Sequence, residues 1–310
     1  MIWYLAELLG FINIDRNIKL DQYQNHPSYA GNFIRFGFDG IVGEYVSTVC
    51  QTFLFALALY FTLSCSSYYY FFKKNKQLYL PKLNAKFFIY YDIKWSIINM
   101  FFETFLVSII RVAQPRFSLM YYNISDYGYW YIPISIILHV VYDETLTYWV
   151  HRWLHTYPYL YIKLHRIHHF SKDITPFSGF AFHPLDAFAQ AVPLFTSCFL
   201  FPIHMNLFLF FGLCTTSWAI SIHDNVPALP FKFLLYSTHH TIHHEPGLGG
   251  MKNFGKFTSV WDRIMGTYEE PDRINFGWNK QKEQLDKLKK VNDLYESILP
   301  SDLNKIKKNK

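Results

Sequence analysis

Apolar residues lie in long blocks along this chain, and polar segments separate the blocks. Residues 45–72 carry no formal charge and are long enough to span a bilayer, which needs about 20 apolar residues. A second block covers residues 87–112, with Glu103 inside it, and a third begins near Trp130 and continues to His151. The pattern predicts an all-α fold, a polytopic bundle of membrane-spanning helices.

Residues 187–222 again contain no Asp, Glu, Lys or Arg, and they allow two interpretations. One is a single very long span, and the other is an apolar hairpin of two shorter helices that turns near Pro202. Only the hairpin returns His183 and His223 to the same side of a membrane, so we favour it.

Lysines flank the predicted spans and indicate their orientation. Five of them follow the first block closely: Lys73, Lys74, Lys76, Lys82 and Lys86. The positive-inside rule places this loop in the cytosol. The loop that ends near Tyr127 contains a single base, Arg116, and is expected on the lumenal side. Such lysines also explain the net charge of +6, which therefore requires no nucleic acid partner.

Histidines supply the candidate chemistry. They occur in three clusters with spacings of three and four residues: His151 and His155; His165, His168 and His169; and His240, His243 and His244, with His239 just before. Residues three or four apart share a face of a helix, so each cluster should point in one direction. Pro158 separates the first two clusters and suits the first turn of a new helix. We expect two helices that meet at a bend.

These clusters predict a site for two metal ions. Neutral imidazole suits iron, zinc and copper, and a structural zinc takes about four ligands, fewer than the clusters offer. The cysteines lie far apart in apolar runs, which argues against an iron–sulfur cluster. Glu144 precedes His151 by seven residues, on the same helical face, and could orient a ligand's second nitrogen. Asp224, next to His223, and Asp186, three residues after His183, are further candidates for such support.

Four segments carry a resemblance to a known family. They are residues 175–186 (TPFSGFAFHPLD), 218–224 (WAISIHD), 237–244 (STHHTIHH) and 261–267 (WDRIMGT). With the histidine clusters, they resemble the fatty acid hydroxylase superfamily of membrane di-iron enzymes, and more narrowly its sterol C-5 desaturases, or lathosterol oxidases. The resemblance covers roughly residues 90–272. It departs from the family at Phe254, where a tyrosine is usual.

The resemblance implies two iron ions as cofactors. It implies that the iron ligands are His151, His155, His165, His168, His169, His240, His243 and His244. His183 and His223 match further family histidines that are ligands or their neighbours, and His239 also matches. Substrate contacts are implied around residues 175–182, beginning with Thr175. We count Thr175, Glu144 and Asp224 as the candidate catalytic residues.

The implied reaction removes two hydrogens across C-5 and C-6 of a delta-7 sterol. Dioxygen is reduced to water, and two electrons come from cytochrome b5 and its NADH-dependent reductase. The bases Arg152, Lys163, Arg166 and Lys172 lie beside the clusters and could steer an acidic partner; a solvated basic face at the membrane lipid is the alternative. Lysines at positions 307 and 308 resemble a dilysine retrieval signal, with a solvated lysine tail as the alternative. We expect an endoplasmic reticulum membrane protein whose active site faces the cytosol.

Other functions remain open. A sterol C-4 methyl oxidase or a lipid hydroxylase would use the same histidine clusters. We favour these two activities less, because residues 175–186 resemble the sterol C-5 desaturases. A histidine-rich zinc transporter would line a path at the bilayer midplane, whereas these clusters flank the predicted spans.

The expected organisation has four parts. Residues 1–44 form an N-terminal segment, and residues 45–150 form the transmembrane spans. Residues 151–272 form a cytosolic, histidine-rich di-metal cap that includes the hairpin at residues 187–222. Residues 273–310 contain an amphipathic helix at 281–299, which Pro300 ends, and the lysine tail.

Overall fold

A computed structural model describes residues 40–74, 85–171, 174–224, 233–245 and 250–271, together with residue 290. Several expectations lie outside the described residues: those for residues 1–39, for Lys76, Lys82 and Lys172, for the helix at 281–299 and for the lysine tail. The described part is mostly helical, which agrees with the predicted all-α class.

Eight α-helices and two short strands are described. They follow in the order α1 (Gly40–Ser67), α2 (Ala85–Phe117), β1 (Met120–Tyr121), α3 (Tyr131–Thr156), α4 (Pro158–Lys163), α5 (Pro184–Thr196), β2 (Ile203–His204), α6 (Met205–Ser221), α7 (Ser237–His243) and α8 (Val260–Ile264). A π-helix, Tyr68–Lys74, extends α1, and 3-10 helices cover Ile124–Asp126, His165–Phe170, Pro176–Phe180 and Ser197–Phe199.

Two of the described helices are long and apolar enough to cross a membrane. They cover Ile41–Lys74 and Lys86–Phe117 and coincide with the first two predicted spans. Large apolar side chains on both remain exposed in the isolated chain, including Leu54, Phe55 and Ile109. Such exposure suits contact with lipid hydrocarbon. An ion pair between Arg116 and Glu44, 2.5 Å long, joins the two helices at one end.

The third predicted span corresponds to α3, which begins at Tyr131 beside Trp130. It carries two buried acidic residues, Asp143 and Glu144, and the histidines of the first cluster. It does not reach the apolar character of α1 and α2. Its passage through a membrane therefore stays a prediction.

Two helices, α5 and α6, occupy the apolar segment at residues 187–222, with Pro202 between them. The turn lies beside the chain that follows α2, because Met120 pairs with Ile203 and Tyr121 with His204 in a parallel two-stranded sheet. Ser135 on α3 donates a hydrogen bond to the Pro202 carbonyl at 3.1 Å. The hairpin is thus fixed at its tip, and α6 ends at the histidine-rich region.

The 3-10 helix Pro176–Phe180 packs between α1, α2 and α6. Its Phe177 carbonyl accepts hydrogen bonds from Tyr60 on α1 at 3.0 Å and from Ser96 on α2 at 3.3 Å. A Cβ atom on Gly179 would lie 2.8 Å from the Ala219 carbonyl oxygen, so this close approach to α6 requires glycine. The packing joins the two apolar helices to the histidine-rich region.

Candidate metal centre

Nine histidines converge in two groups. The five-histidine group contains His151, His155, His165, His169 and His243; the four-histidine group contains His168, His223, His240 and His244. Within each group, every residue offers one ring nitrogen, and these nitrogens all lie within 4.8 Å of one another.

Three helical segments deliver most of these rings. The last turns of α3 carry His151 and His155, the 3-10 helix His165–Phe170 carries the second cluster, and α7 carries the third. Pro158 begins α4 at its first turn, as predicted. The bend that follows α3 therefore folds the second cluster back towards the first.

The second and third clusters do not each point in one direction, which differs from the expectation. His168 joins the four-histidine group while His165 and His169 join the other, and His243 is separated from His240 and His244 in the same way. Both clusters lie between the two groups and contribute to each. The second cluster also forms a 3-10 helix, which changes the angular spacing on which the expectation depended.

The Nε2 atoms of the four-histidine group face one another at short distances. His240 Nε2 lies 2.9 Å from His223 Nε2 and 3.0 Å from His244 Nε2, and His168 Nε2 lies 3.1 Å from His244 Nε2. The Nδ1 atom of His223 donates to the Ala219 carbonyl at 2.6 Å, which leaves its Nε2 lone pair free. Metal–nitrogen bonds of about 2.0–2.1 Å place neighbouring ligand atoms at about this separation, so a metal ion fits the group.

The five-histidine group is oriented by acceptors outside it. The Nδ1 atoms of His151 and His243 donate to the carbonyls of Phe254 (2.9 Å) and Lys252 (2.8 Å). His165 Nδ1 donates to the buried Asp186 carboxylate at 2.7 Å, as the sequence suggested for that residue. Each of these bonds fixes the tautomer in which Nε2 is a free ligand atom.

Buried nitrogen atoms support the same conclusion. Among the described residues, Nε2 of His151, His155 and His243 is buried without a hydrogen-bond partner. Buried polar atoms in native proteins rarely lack a partner, and a metal ion is one explanation when they do. The all-imidazole donor set also suits iron or zinc, so both groups fit a metal ion by geometry and by chemistry.

Burial keeps these imidazoles neutral. It lowers the pKa of His168, His169, His240, His243 and His244 well below the ordinary value, and the neighbouring imidazoles lower it further. Neutral imidazole is the form that binds a metal ion. The rings are therefore ready to act as ligands at neutral pH.

Two predicted histidine ligands lie outside both groups. His183 precedes α5 and caps its N-terminus, where its Nδ1 accepts a hydrogen bond from the N–H of Leu185 at 3.2 Å, which places the proton on Nε2. His239 accepts the N–H of Tyr236 at 3.4 Å, and its Nε2 lies 3.2 Å from the Tyr268 hydroxyl. Both rings stabilise local structure in the described residues, and this geometry differs from the expected ligand role.

The three candidate catalytic residues lie at different places. Glu144 accepts hydrogen bonds from the backbone N–H groups of Phe257 (2.6 Å) and Thr258 (3.3 Å). It does not orient a histidine ligand, because seven helical residues place it about 10 Å along the helix axis from His151. Thr175 is buried at the start of the 3-10 helix Pro176–Phe180, and its N–H donates to Ser178 Oγ at 3.0 Å. Asp224 is buried beside His223.

Several residues that support the metal centre could not be recognised from the sequence. The carbonyls of Lys252 and Phe254 orient two rings, yet every residue has a carbonyl. Phe182 stacks on His168 with a centroid distance of 3.9 Å and an interplanar angle of 13°. Asp92 on α2 accepts hydrogen bonds from Ser171 and from Ser178, the latter at 2.5 Å. A charge within an apolar block is the only sequence feature that could have indicated Asp92.

Comparisons with known proteins agree with this site. A model of the fatty acid hydroxylase family matches residues 136–267. The chain is 31% identical over 243 residues to a lathosterol oxidase of Mus musculus, covering 75% of this chain and 78% of the relative. It is 31% identical over 279 residues to a probable Delta(7)-sterol 5(6)-desaturase of Neurospora crassa, covering 85% and 78%. No solved structure matches the chain.

The chain therefore belongs to the fatty acid hydroxylase family. Within that family, the chain is similar to lathosterol oxidases and to Delta(7)-sterol 5(6)-desaturases. The latter include one of Schizosaccharomyces pombe, at 30% identity over 239 residues, covering 77% of this chain and 78% of the relative. These findings confirm the resemblance that the four segments and the histidine clusters indicated.

Proposed function

We propose that this protein is a membrane di-iron desaturase that introduces the C-5(6) double bond into a delta-7 sterol. The observation that carries the proposal is the convergence of nine histidines in two groups, in a chain whose relatives are named for this reaction. Two iron ions, when bound, would supply the activation of dioxygen.

The reaction balances with two electrons from outside. One C–H bond breaks at C-5 and one at C-6, and a carbon–carbon π bond forms between them. The sterol gives up two hydrogens and dioxygen is reduced to two molecules of water, with two further electrons and two protons. We propose that the electrons come from cytochrome b5 and its NADH-dependent reductase. Exposed Lys163 and Arg166, beside His165, support this because they could attract an acidic donor.

The chain's own residues would hold the metals and place the substrate. His165 is fixed by Asp186, and His151 and His243 by backbone carbonyls, so three Nε2 atoms keep their direction. We propose that residues 175–182, from Thr175 onward, contact the sterol. This segment packs against α1 and α2 at Phe177 and reaches the four-histidine group at Phe182. An apolar substrate could therefore pass from the lipid to the metals beside it.

The location follows from the same reasoning. We propose a multi-pass protein of the endoplasmic reticulum membrane whose metal centre faces the cytosol. The two apolar helices and the lysines after α1 support this proposal. Cysteine labelling in sealed microsomes tests it: residues 74 and 123, each replaced by cysteine, should react on opposite faces. Labelling of both from one face would refute the topology.

Sterol conversion tests the reaction. Membranes that contain the protein are incubated with a delta-7 sterol, NADH, cytochrome b5 and its reductase. A conjugated 5,7-diene should appear by its ultraviolet absorption, only in the presence of oxygen, and not with a His243→Ala variant. A hydroxysterol without the diene, or oxidation of the C-4 methyl group, would instead assign the chain to another activity of the family. Hydroxylation of an acyl chain alone would show that the substrate class is wrong.

A further inference from the structure

Asp262 is buried and belongs to neither histidine group. It lies on α8, inside the WDRIMGT segment. Its Oδ1 accepts the N–H of Phe254 at 2.9 Å and the hydroxyl of Thr267 at 2.7 Å, and its Oδ2 accepts the N–H of Gly255 at 2.8 Å. Both carboxylate oxygens are therefore directed at the chain around residues 254 and 255.

That chain segment carries two of the carbonyls that orient metal-binding rings. The Phe254 carbonyl accepts from His151 Nδ1, and the Lys252 carbonyl accepts from His243 Nδ1. The Phe254 carbonyl and the Gly255 N–H are the two ends of one planar peptide group. Since Asp262 holds the N–H end, it also fixes the direction in which the carbonyl end points.

Two further features hold the segment in place. Asn253 has a φ of +56°, a conformation that asparagine tolerates, and its side chain bonds to the backbone of His239 (3.2 Å) and Glu269 (2.9 Å). A Cβ atom on Gly255 would lie 2.4 Å from the Thr258 carbonyl oxygen and 2.9 Å from Asp262 Oδ2, so the close packing at this position requires glycine. The segment is thus shaped to meet Asp262 on one side and the five-histidine group on the other.

We propose that Asp262 is a positioning residue for the metal site of the five-histidine group. By holding the peptide group between Phe254 and Gly255, it keeps the carbonyl on His151 Nδ1 and so keeps His151 Nε2 directed into the site. The proposal rests on the proposed function only in requiring that a metal ion binds each group. The ring contacts of the four-histidine group involve other segments, with His223 oriented by Ala219, so the effect of Asp262 is confined to one site.

Selective release of iron tests this role. The full-length protein in detergent is loaded anaerobically with Fe2+ and titrated with a chelator, and the ions released per chain are counted. In Asp262→Asn, an amide N–H would face the backbone donors. One of the two ions should leave at a chelator concentration about 10–100-fold lower than in the wild type. This is the usual loss of metal affinity when a residue that supports a metal ligand is replaced. The other ion should behave as in the wild type.

A matched control removes a different buried carboxylate. Asp143→Asn breaks the 2.7 Å ion pair with Lys256 but contacts neither carbonyl, so both ions should be retained. Asp262→Glu keeps the charge and both acceptor oxygens, and should give a smaller loss at the same site. If Asp262→Asn does not fold, the comparison of Asp262→Glu with Asp143→Asn decides the question.

The outcomes separate this inference from the proposed reaction. Equal weakening of both ions, or retention of both in the Asp262 variants, would overturn the positioning role. Selective loss of one ion in a protein that converts no sterol would support the role while contradicting the reaction. A wild-type protein that takes up fewer than two iron ions would overturn both the di-iron site and this inference.

Discussion

The two histidine groups hold their rings in different ways. In the five-histidine group, the partners of His151, His165 and His243 come from residues 9 to 103 positions away in the chain. In the four-histidine group, His223 is oriented by Ala219, four residues before it, and the Nε2 atoms lie against one another. The first group therefore depends on the tertiary fold around it, whereas the second depends more on local structure and on the rings themselves.

Removal of a ring should have the largest effect and should affect both groups alike. His243→Ala and His223→Ala each remove one proposed ligand, so turnover should fall by at least about 100-fold while the protein remains in the membrane. Sterol conversion and membrane fractionation measure the two properties.

A histidine outside both groups provides the control. His204 precedes α6 and caps its N-terminus, where its Nδ1 accepts a hydrogen bond from the N–H of Asn206 at 3.2 Å. His204→Ala should retain activity and lose about 1 kcal/mol of stability as a helix cap. Equal loss of activity in all three variants would show that the fold, not the metal site, is sensitive to substitution.

Loss of a residue that orients a histidine ring should have a smaller effect, and it should lower metal affinity in only one of the two groups. Asp186→Asn weakens the acceptor of His165 Nδ1, so metal affinity should fall about 10–100-fold in the five-histidine group and remain unchanged in the other. Chelator titration measures this, with Asp126→Asn, a change at an exposed carboxylate, as the control. Loss at both groups would contradict the separate support proposed for each.

A decrease in pH should lower the stability of the metal-free protein to unfolding. The pKa values of the buried histidines, such as His168 and His240, are lowered in the folded chain, while the unfolded chain titrates at about 6.5. Below that pH the unfolded chain binds more protons, so stability should fall as the pH decreases from 7 to 5. Thermal denaturation of the metal-free protein in detergent measures this, and a melting temperature independent of pH over this range would contradict it.

The sequence was most informative where chemistry repeats at short spacing. Histidines three and four residues apart predicted a metal site, and the first two apolar blocks coincide with α1 and α2. The division into two groups could not be predicted, because helical spacing does not say which cluster shares a metal with which. His183 and His239 matched the family pattern, but their rings form local hydrogen bonds that depend on backbone conformation.

Glu144 is a second case in which helical spacing did not predict what a side chain contacts. It does share a helical face with His151, but two helical turns separate them and its carboxylate binds the backbone at residues 257 and 258. The residues that do support the rings, Asp186 and the carbonyls of Lys252 and Phe254, lie 9 to 103 positions away from them in the chain, outside any helical spacing. Only the first of these has a side chain that could be identified in advance.

Counting iron in the two groups tests the central claim most directly. The wild-type protein, loaded anaerobically with Fe2+ and freed of unbound metal, should hold two iron ions per chain. His243→Ala and His223→Ala should each lose the ion of one group and retain that of the other. A wild-type content of one ion or none, or loss of both ions in each variant, would contradict two separate metal sites.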